Sequence, residues 1–258
     1  MKIMKSNSSF FISDKTQIMV SFAKNEFEKS NTKDDLNMYL LRSYIRFHCT
    51  VSGQVCTTLN AITLGCGSSI KGNSKVANEK FRDGLLWLQQ NKYISCNKDL
   101  VTIKNSEYFE IQILDDCIFY CDKNFVLLTM SEYETIINSN TTSKKSILLA
   151  TYLCIKKNIY HNDSIPMSNL AIHSHDTIKR VLGVSSNSTV RMALSELREL
   201  GLVYWEDTQY YYKNKKDDEY KFAKSVYALN KSDLKYTKSA LMDFYQVDCI
   251  YTVGEINK

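Results

Sequence analysis

Proline and glycine are scarce in this chain, which has one proline and eight glycines among 258 residues. Long flexible linkers between folded parts are therefore not expected. The sequence contains no uninterrupted apolar run of the length, about 18 residues or more, that a membrane-spanning helix needs. Residues 1–13 also lack the apolar core of a signal peptide. The sequence thus predicts a cytoplasmic protein without a membrane partner.

Motifs of catalysis and cofactor binding are also missing. There is no phosphate loop of the GxxxxGK type, no GxGxxG after a strand-like run and no GxSxG elbow. His173 and His175 are zinc-type ligands, but neither a CxxC pair nor an HExxH spacing accompanies them. We therefore expect no enzymatic activity, no metal ion, no cofactor and no small-molecule substrate.

The eight cysteines are scattered along the chain and mostly lie inside apolar patterns. The regular spacings of a disulfide-stapled or zinc-binding protein are absent. We therefore expect reduced thiols that belong to the core.

The net charge of +5 is small for a nucleic-acid-binding protein, so its distribution along the chain matters more than its sum. Residues 115–143 contain one lysine and five acidic residues. The stretches on either side, 1–114 and 144–234, are both net basic. The chain therefore has two basic regions separated by an acidic one.

An apolar pattern occurs twice in the sequence, each time with apolar residues 4, 7, 12 and 13 positions after the first. The members are Phe81, Leu85, Leu88, Tyr93 and Ile94 in one copy and Val190, Leu194, Leu197, Leu202 and Val203 in the other. A helical stripe of Leu40, Leu41, Tyr44 and Ile45 likewise recurs 108 residues later as Leu148, Leu149, Tyr152 and Leu153. The chain is therefore predicted to contain a duplicated structural unit.

Each copy runs from a helix through a second helix to a third and then into β-like segments, an order typical of a winged helix-turn-helix. We predict an α+β, mainly helical fold of two tandem winged helix-turn-helix domains with small β-wings. The first unit is placed at 1–115, the second at 116–234 and a helical tail at 235–258. Because about 100 residues suffice to bury a core, each unit is expected to have its own.

Apolar periodicity and turn residues give the element boundaries. Helices are expected at 34–48, 57–64, 73–91, 144–157, within 167–182, at 187–200 and around 241–245. Strands are expected at 10–22, 93–94, 100–103, 108–113, 125–128, 202–205, 209–212 and 220–229. Short helices at 23–29 and 131–138 follow the first strand of each unit. Ser131 and Glu134 fit a capping box, Gly201 fits a left-handed helix end, and the end of the tail is expected to fray.

The third helix of a winged helix lies in the major groove, with the side chains opposite its core face toward the base edges. In the second unit Asn187 and Ser188 start this helix, and Arg191 and Ser195 lie on its outward face. A guanidinium can bond a guanine edge twice, and the amides of a helix start attract phosphate. The preceding helix adds two predicted contacts to the DNA backbone, Lys179 and Arg180.

A loop with three lysines is the best candidate for the tip of a β-wing. Lys213, Lys215 and Lys216 would follow a phosphate strand without base preference. Three acidic residues at 217–219 follow at once and weaken this interpretation. A solvated charged turn is the alternative for the loop taken alone.

The first unit has a less favourable outward face. Its candidates for DNA contact are Lys75, Asn78 and Arg82. Glu79 and Asp83 lie on the same side, where they would repel phosphate. Leu86 and Trp87 are near that side too, so contact with the other unit or with a second chain, as in a homodimer, is the competing role.

The third-helix signatures of the two copies are FRDGLLWLQQNKYI and VRMALSELRELGLVYW. With these two copies the chain resembles the tandem winged-helix proteins of low-GC Gram-positive bacteria, their plasmids and phages. Plasmid replication initiators with two winged helices and phage replisome organisers are the similar groups. The resemblance covers nearly the whole chain in architecture. It implies binding to repeated origin sequences, recruitment of replication proteins such as a helicase, and one domain for dimerisation beside one that reads DNA.

The leading hypothesis is a protein that binds double-stranded DNA sequence-specifically and initiates replication or maintains a mobile element. A transcriptional regulator with the same two domains is the alternative, because no ligand-pocket signature separates the two roles. A third class is an adaptor that uses winged helices for protein contacts only.

Overall fold

The computed structural model describes residues 19–28, 30–70, 74–119, 124–160, 164–206, 209–216 and 218–256, and the fold is α+β with small antiparallel sheets. The first unit contains β1 (Met19–Ala23), α1 (Lys33–His48), β2 (Gln54–Thr57), α2 (Leu59–Gly65), α3 (Ser74–Gln90), β3 (Ile94–Cys96) and β4 (Phe109–Ile113). The second contains β5 (Phe125–Thr129), α4 (Met130–Ile137), α5 (Lys145–Lys156), β6 (Leu170–His173), α6 (His175–Leu182), α7 (Asn187–Glu199), β7 (Tyr204–Trp205), β8 (Tyr210–Lys213), β9 (Tyr220–Phe222) and β10 (Ser225–Ala228). The tail adds α8 (Thr237–Tyr245), β11 (Ile250–Thr252) and α9 (Val253–Ile256).

The two regions with the repeated apolar spacing have the same order of strands in their sheets. The strands of the first unit pair in the order β2-β4-β3, and those of the second in the equivalent order β6-β10-β7. In both units, one edge strand precedes the second helix, and the last strand of the unit lies in the centre. The repeated apolar residues of α1, α3, α5 and α7 are buried, so the spacing reports the core faces of these helices.

The two units share one hydrophobic core, which corrects the expectation of separate cores. β1 pairs antiparallel with β5, from Met19 opposite Thr129 to Ala23 opposite Phe125, and α1 packs against α5. The units also exchange hydrogen bonds: the Tyr133 hydroxyl donates to the Gly65 carbonyl over 2.7 Å. Because the opening strands of both units form one sheet, the apolar faces of α1 and α5 are brought together.

A second, smaller core joins the tail to the second unit. Its buried members are Leu170, Ala223, Val226, Ala228, Leu234, Ala240, Leu241 and Ile250. β11 pairs with β8 in a sheet of order β11-β8-β9. The expected frayed end is therefore wrong for 250–252, which forms a strand.

Several predicted boundaries differ from the structure. The expected strand at 100–103 is a turn, because the carbonyls of this segment accept bonds from a helix side chain rather than from a neighbouring strand. The expected strand at 220–229 is divided at Ala223, whose amide donates to the Tyr210 carbonyl over 2.8 Å. β2 and β6 were not predicted, since four residues are too few for a clear alternation. The extended run predicted at 10–22 lies outside the described residues as far as residue 18.

The capping box of α4 also lies two residues earlier than predicted. The Thr129 hydroxyl accepts from the Glu132 amide over 3.2 Å, and the Glu132 carboxylate accepts from the Thr129 amide over 2.9 Å. Ser131 and Glu134 are therefore inside the helix. The short helix predicted at 23–29 is a 3-10 turn at Lys24–Phe27.

The cysteines were predicted to be reduced thiols of the core. Cys66 and Cys154 are buried as expected of core thiols, whereas Cys56, Cys117 and Cys249 are exposed, so the core assignment is wrong for these three.

Over the described ranges, no helix combines the length and apolar character that crossing a bilayer requires.

Candidate nucleic-acid interface

The outward face of α7 is open to solvent. Asn187, Ser188, Arg191 and Ser195 are all exposed. The opposite face is closed, with Val190, Ala193, Leu194 and Leu197 each 0% exposed. The helix therefore presents two hydroxyls, an amide and a guanidinium on a side that no other part of the described chain covers.

A buried carboxylate fixes α7 against the start of α5. Glu196 is 9% exposed and accepts the Thr142 amide over 2.7 Å and the Ser143 amide over 3.2 Å. These amides belong to the two residues before the N-cap of α5, so the carboxylate holds the chain just ahead of this helix against α7. Its negative charge consequently points away from the outward face of α7.

The turn between α6 and α7 is attached to the first unit. Gly183 has a φ of 61°, and its amide bonds back to the Arg180 carbonyl over 3.1 Å. The backbone amide of Asn31 donates to the Val181 carbonyl over 3.1 Å, and its side-chain amide donates there over 2.8 Å. A Cβ on Gly183 would lie 1.9 Å from the Asn31 oxygen. Glycine at position 183 thus permits the close approach of the Asn31 backbone, and the two hydrogen bonds from Asn31 hold the turn before α7 against the first unit.

The predicted backbone contacts on α6 differ from each other. Arg180 is exposed, whereas the Lys179 ammonium lies 3.0 Å from the Asp176 carboxylate. The hydrogen bond from Lys179, together with a weaker one from Asn187, lowers the pKa of Asp176, so this carboxylate stays ionised. An acidic group therefore stands beside the start of α7 and reduces the attraction of Lys179 for phosphate.

The predicted wing tip is a tight β8–β9 hairpin. The Lys213 ammonium lies 2.8 Å from the Asp218 carboxylate, and this bond raises the pKa of Lys213. The Asn214 side chain accepts the Lys216 amide over 3.0 Å, which shapes the turn. Lys215 and Lys216 are exposed. Two of the three lysines are therefore presented to solvent without an ion pair between described residues.

Arg198 belongs to the same outward row and was missed from the sequence. It follows Arg191 by seven residues and Ser195 by three, and it is exposed. Its guanidinium lies 5.3 Å from the centre of the Trp205 ring, which fixes the side chain beside β7. The helical spacing was a sufficient signal, because Arg198 lies one turn beyond Ser195 on the same face.

Asn78 is not on the surface of the first unit. Its side chain is 1% exposed, accepts from the Thr63 hydroxyl and donates to the Asn60 amide oxygen over 2.8 Å. These bonds connect α3 to α2 inside the unit. The outward placement predicted for Asn78 is therefore wrong.

The Arg82 guanidinium is likewise engaged within the first unit. It donates to the Leu100 and Val101 carbonyls, the latter over 3.2 Å, and to the Ile103 carbonyl over 2.9 Å. A further bond reaches the Asn105 side chain over 3.1 Å. Its donors hold the turn at 100–105 against α3, so Arg82 lacks the outward reach that was predicted. The Lys75 side chain lies outside the described residues.

The remaining outer surface of α3 is acidic and aromatic. Glu79 and Asp83 are exposed, and Trp87 is 46% exposed with its ring stacked 5.9 Å from that of Tyr93. A groove of about 780 Å³ lies between α1 and α3, and Asp34 is among its acidic lining residues. This surface differs in charge from that of α7.

The metal site considered from the sequence has no support in the geometry. His173 is buried, and its Nε2 lies 2.8 Å from the Asn158 side-chain nitrogen. Within the described ranges, no group of three or more potential ligands is positioned to hold a metal ion.

Comparison with the profiles of known protein families gives no match, and comparison with curated proteins gives none either. The resemblance to tandem winged-helix proteins therefore stays a prediction.

Proposed function

We propose that this chain binds double-stranded DNA sequence-specifically through the outward face of α7, as a tandem winged-helix protein of the cytoplasm. We further propose that it initiates replication or maintains a plasmid, phage or other mobile element. The observation that carries the proposal is the exposed row of Arg191, Ser195 and Arg198, which continues from Asn187 and Ser188 at the helix start.

The order of elements supports the winged-helix part of this proposal. In each unit a helix, an edge strand, a second helix and a third helix are followed by two more strands of the same sheet. The third helix of such a unit enters the major groove, and the following strands lie beside the DNA backbone. The β8–β9 hairpin is inserted between β7 and β10, where a wing is expected.

The chemistry of the α7 face supports a duplex partner. Two guanidinium groups separated by two helical turns can bond base edges or phosphates, and hydroxyls can bond either. The amide end of α7, capped by Ser186, adds the positive pole of the helix dipole. Lys215 and Lys216 extend the positive surface along the hairpin.

The first unit is proposed to make protein contacts instead. Arg82 and Asn78 are occupied inside the unit, and Glu79 and Asp83 would face phosphate with like charge. A second copy of the chain or a replication protein is the partner proposed for this acidic surface. No catalytic role is proposed.

A salt titration of duplex binding by the full-length protein tests the proposal. Arg191→Ala combined with Lys215→Gln and Lys216→Gln should weaken binding and reduce the slope of log affinity against log salt by about 0.9 for each phosphate that the variant no longer neutralises. The matched control removes three charges from the first unit, through Lys80→Gln, Lys92→Gln and Lys104→Gln. We expect the control to keep both affinity and slope.

Equal affinity of the α7 variant and the wild type would reject the proposal and favour the adaptor role. Mapping of the bound sites separates the two DNA-dependent roles. Repeated copies near an origin support replication, whereas a single palindrome over a promoter supports transcriptional regulation.

A further inference from the structure

The sheet formed by β11, β8 and β9 has two chemically different faces. In its ladder Tyr212 lies opposite Lys221 and Ile250, and Tyr211 lies opposite Phe222 and Tyr251. Successive side chains of a strand point to opposite faces, and directly paired residues share a face. Tyr212 and Tyr211 therefore mark the two sides of the sheet.

The inner side packs against the tail. Ile250 is buried in the second core, and Tyr210 and Tyr212 pack against that core. The Tyr212 ring stacks on the Tyr245 ring of α8, with centroids 3.8 Å apart. This packing holds the sheet in place and leaves its other side to the solvent.

The outer side carries four aromatic rings and a lysine, which we call the aromatic face. It consists of Tyr211, Tyr220, Phe222, Tyr251 and Lys213. Phe222 is 59% exposed and Tyr220 is 43% exposed. The rings meet edge to face, Tyr211 with Phe222 at 5.4 Å and Tyr220 with Tyr251 at 5.2 Å.

Packing within the chain does not account for this arrangement. Of the residues that the structure describes, the two hydrophobic cores include none of the four rings of the aromatic face. Exposed aromatic rings gathered on one rigid sheet are instead the feature with which proteins stack unpaired bases, since every base has a π-face. A duplex offers no such base faces except at its ends.

We propose that the aromatic face binds single-stranded nucleic acid by stacking its bases. Lys213 lies opposite Tyr220 in the ladder, and Lys215 and Lys216 are exposed at the end of the same hairpin. The Lys215 and Lys216 ammonium groups complement a phosphate chain that runs over the rings, whereas Lys213 is paired with Asp218. Asp218 and Glu219 are exposed at the same end and limit the affinity there.

This activity goes beyond duplex recognition, because it uses the aromatic rings rather than the face of α7 and binds a different form of nucleic acid, although both activities use Lys215 and Lys216. The hairpin that carries the aromatic face follows α7 and β7 in the chain. The competing occupant of the aromatic face is a second copy of this chain.

The test measures fluorescence anisotropy of a labelled oligothymidylate of about 20 nucleotides with the full-length protein at low salt. The wild type is expected to bind, and Tyr220→Ala with Phe222→Ala to weaken binding by about tenfold or more. Phe222→Trp should retain binding. Tyr108→Ala, which removes a ring 69% exposed in the first unit, is the matched control and should bind like the wild type.

Absence of wild-type binding, or equal binding by the double alanine variant, would overturn the proposal. The proposal would also be overturned if the wild type were a dimer in sedimentation, the double variant a monomer, and neither bound the oligonucleotide. If the double variant does not fold, photocrosslinking of the wild type to a bromodeoxyuridine oligonucleotide decides. Crosslinks at 210–222 or 250–252 support the proposal, and crosslinks confined to other segments contradict it. A protein that binds the single strand but no duplex retains this inference and loses the proposed function.

Discussion

α3 and α7 have the same core spacing and opposite outer surfaces. In α3 the guanidinium of Arg82 turns inward to backbone carbonyls, and Glu79 and Asp83 face the solvent. In α7 the buried acid is Glu196, and Arg191 faces the solvent. The core side fixes how each helix lies, whereas packing does not constrain the outer side. Two regions with the same core spacing can therefore differ in their outer surfaces.

The largest difference between the units is expected at the glycine that follows each second helix. Gly183 and Gly67 both have positive φ, but a Cβ on Gly183 would meet a backbone oxygen, and one on Gly67 would meet the Lys145 side chain at 2.6 Å. We expect Gly183→Ala to lower the free energy of unfolding by about 4 kcal/mol. Gly67→Ala should cost about 2 kcal/mol, since a side chain can move. Equal losses of the two variants in urea denaturation would contradict the difference between a backbone neighbour at Gly183 and a side-chain neighbour at Gly67.

The two arginines are expected to separate stability from binding. Arg82→Ala removes several bonds to carbonyl oxygens and should lower the free energy of unfolding by about 3 kcal/mol. Arg191→Ala leaves the core untouched and should change it by less than about 0.5 kcal/mol. Thermal and urea unfolding measure both. A loss for Arg191→Ala as large as that for Arg82→Ala would show that the outer face of α7 is structural.

Acid should act on the second unit through His173, at the end of β6. Burial, aided by Lys157 and Lys224, lowers the pKa of His173 to about 4. The unfolded chain then takes up the proton first as pH falls, so stability is complete above about pH 6.5 and declines from there to about pH 4. At the end of β2 the first unit has Thr57, which does not titrate.

His173→Gln provides the matched variant for this prediction. The wild type should lose about 2 kcal/mol more than His173→Gln between pH 7.5 and pH 5. Urea unfolding at the two pH values gives both numbers. The explanation fails if the difference between the two proteins does not change with pH.

The smallest expected effect concerns the ends of α3 and α7. Lys92 and Gly201 occupy the same left-handed position, with φ of 62° and 73°, and the next amide bonds back over 3.0 and 2.9 Å. The left-handed region is unfavourable for a residue with a Cβ. We expect Lys92→Gly to raise the free energy of unfolding by about 1 kcal/mol and Gly201→Lys to lower it by a similar amount. Changes of the same sign in melting temperature would contradict the equivalence of the two ends.

The long amphipathic helices could be predicted because burial of one helix face requires apolar residues at helical spacing, and this spacing is visible in the sequence. Phe81, Leu85 and Leu88 define α3, and Val190, Leu194 and Leu197 define α7, with ends within one residue of the prediction. The exposure of Arg191 and Ser195 follows from the same period. Arg198 could have been found by extending it one further turn.

The rest depends on contacts between distant parts of the chain. The pairing of β1 with β5 and the single core that results leave no local pattern in either segment. The helical spacing places Arg82 on the outward face of α3, and only the folded turn at 100–105 supplies the carbonyls that accept its hydrogen bonds. The aromatic face forms only because β11 pairs with β8. These strands are distant in sequence, and no pattern in the tail predicts their pairing.

Selection of bound sites from random duplex DNA, followed by anisotropy at fixed salt, tests most directly whether α7 reads the duplex. The wild type should enrich one site, and Arg191→Ala should bind it about tenfold or more weakly and lose the preference at one base pair. Arg82→Ala, measured where it is folded, should keep that preference. Enrichment of the same site with the same affinity by Arg191→Ala and the wild type would contradict the account.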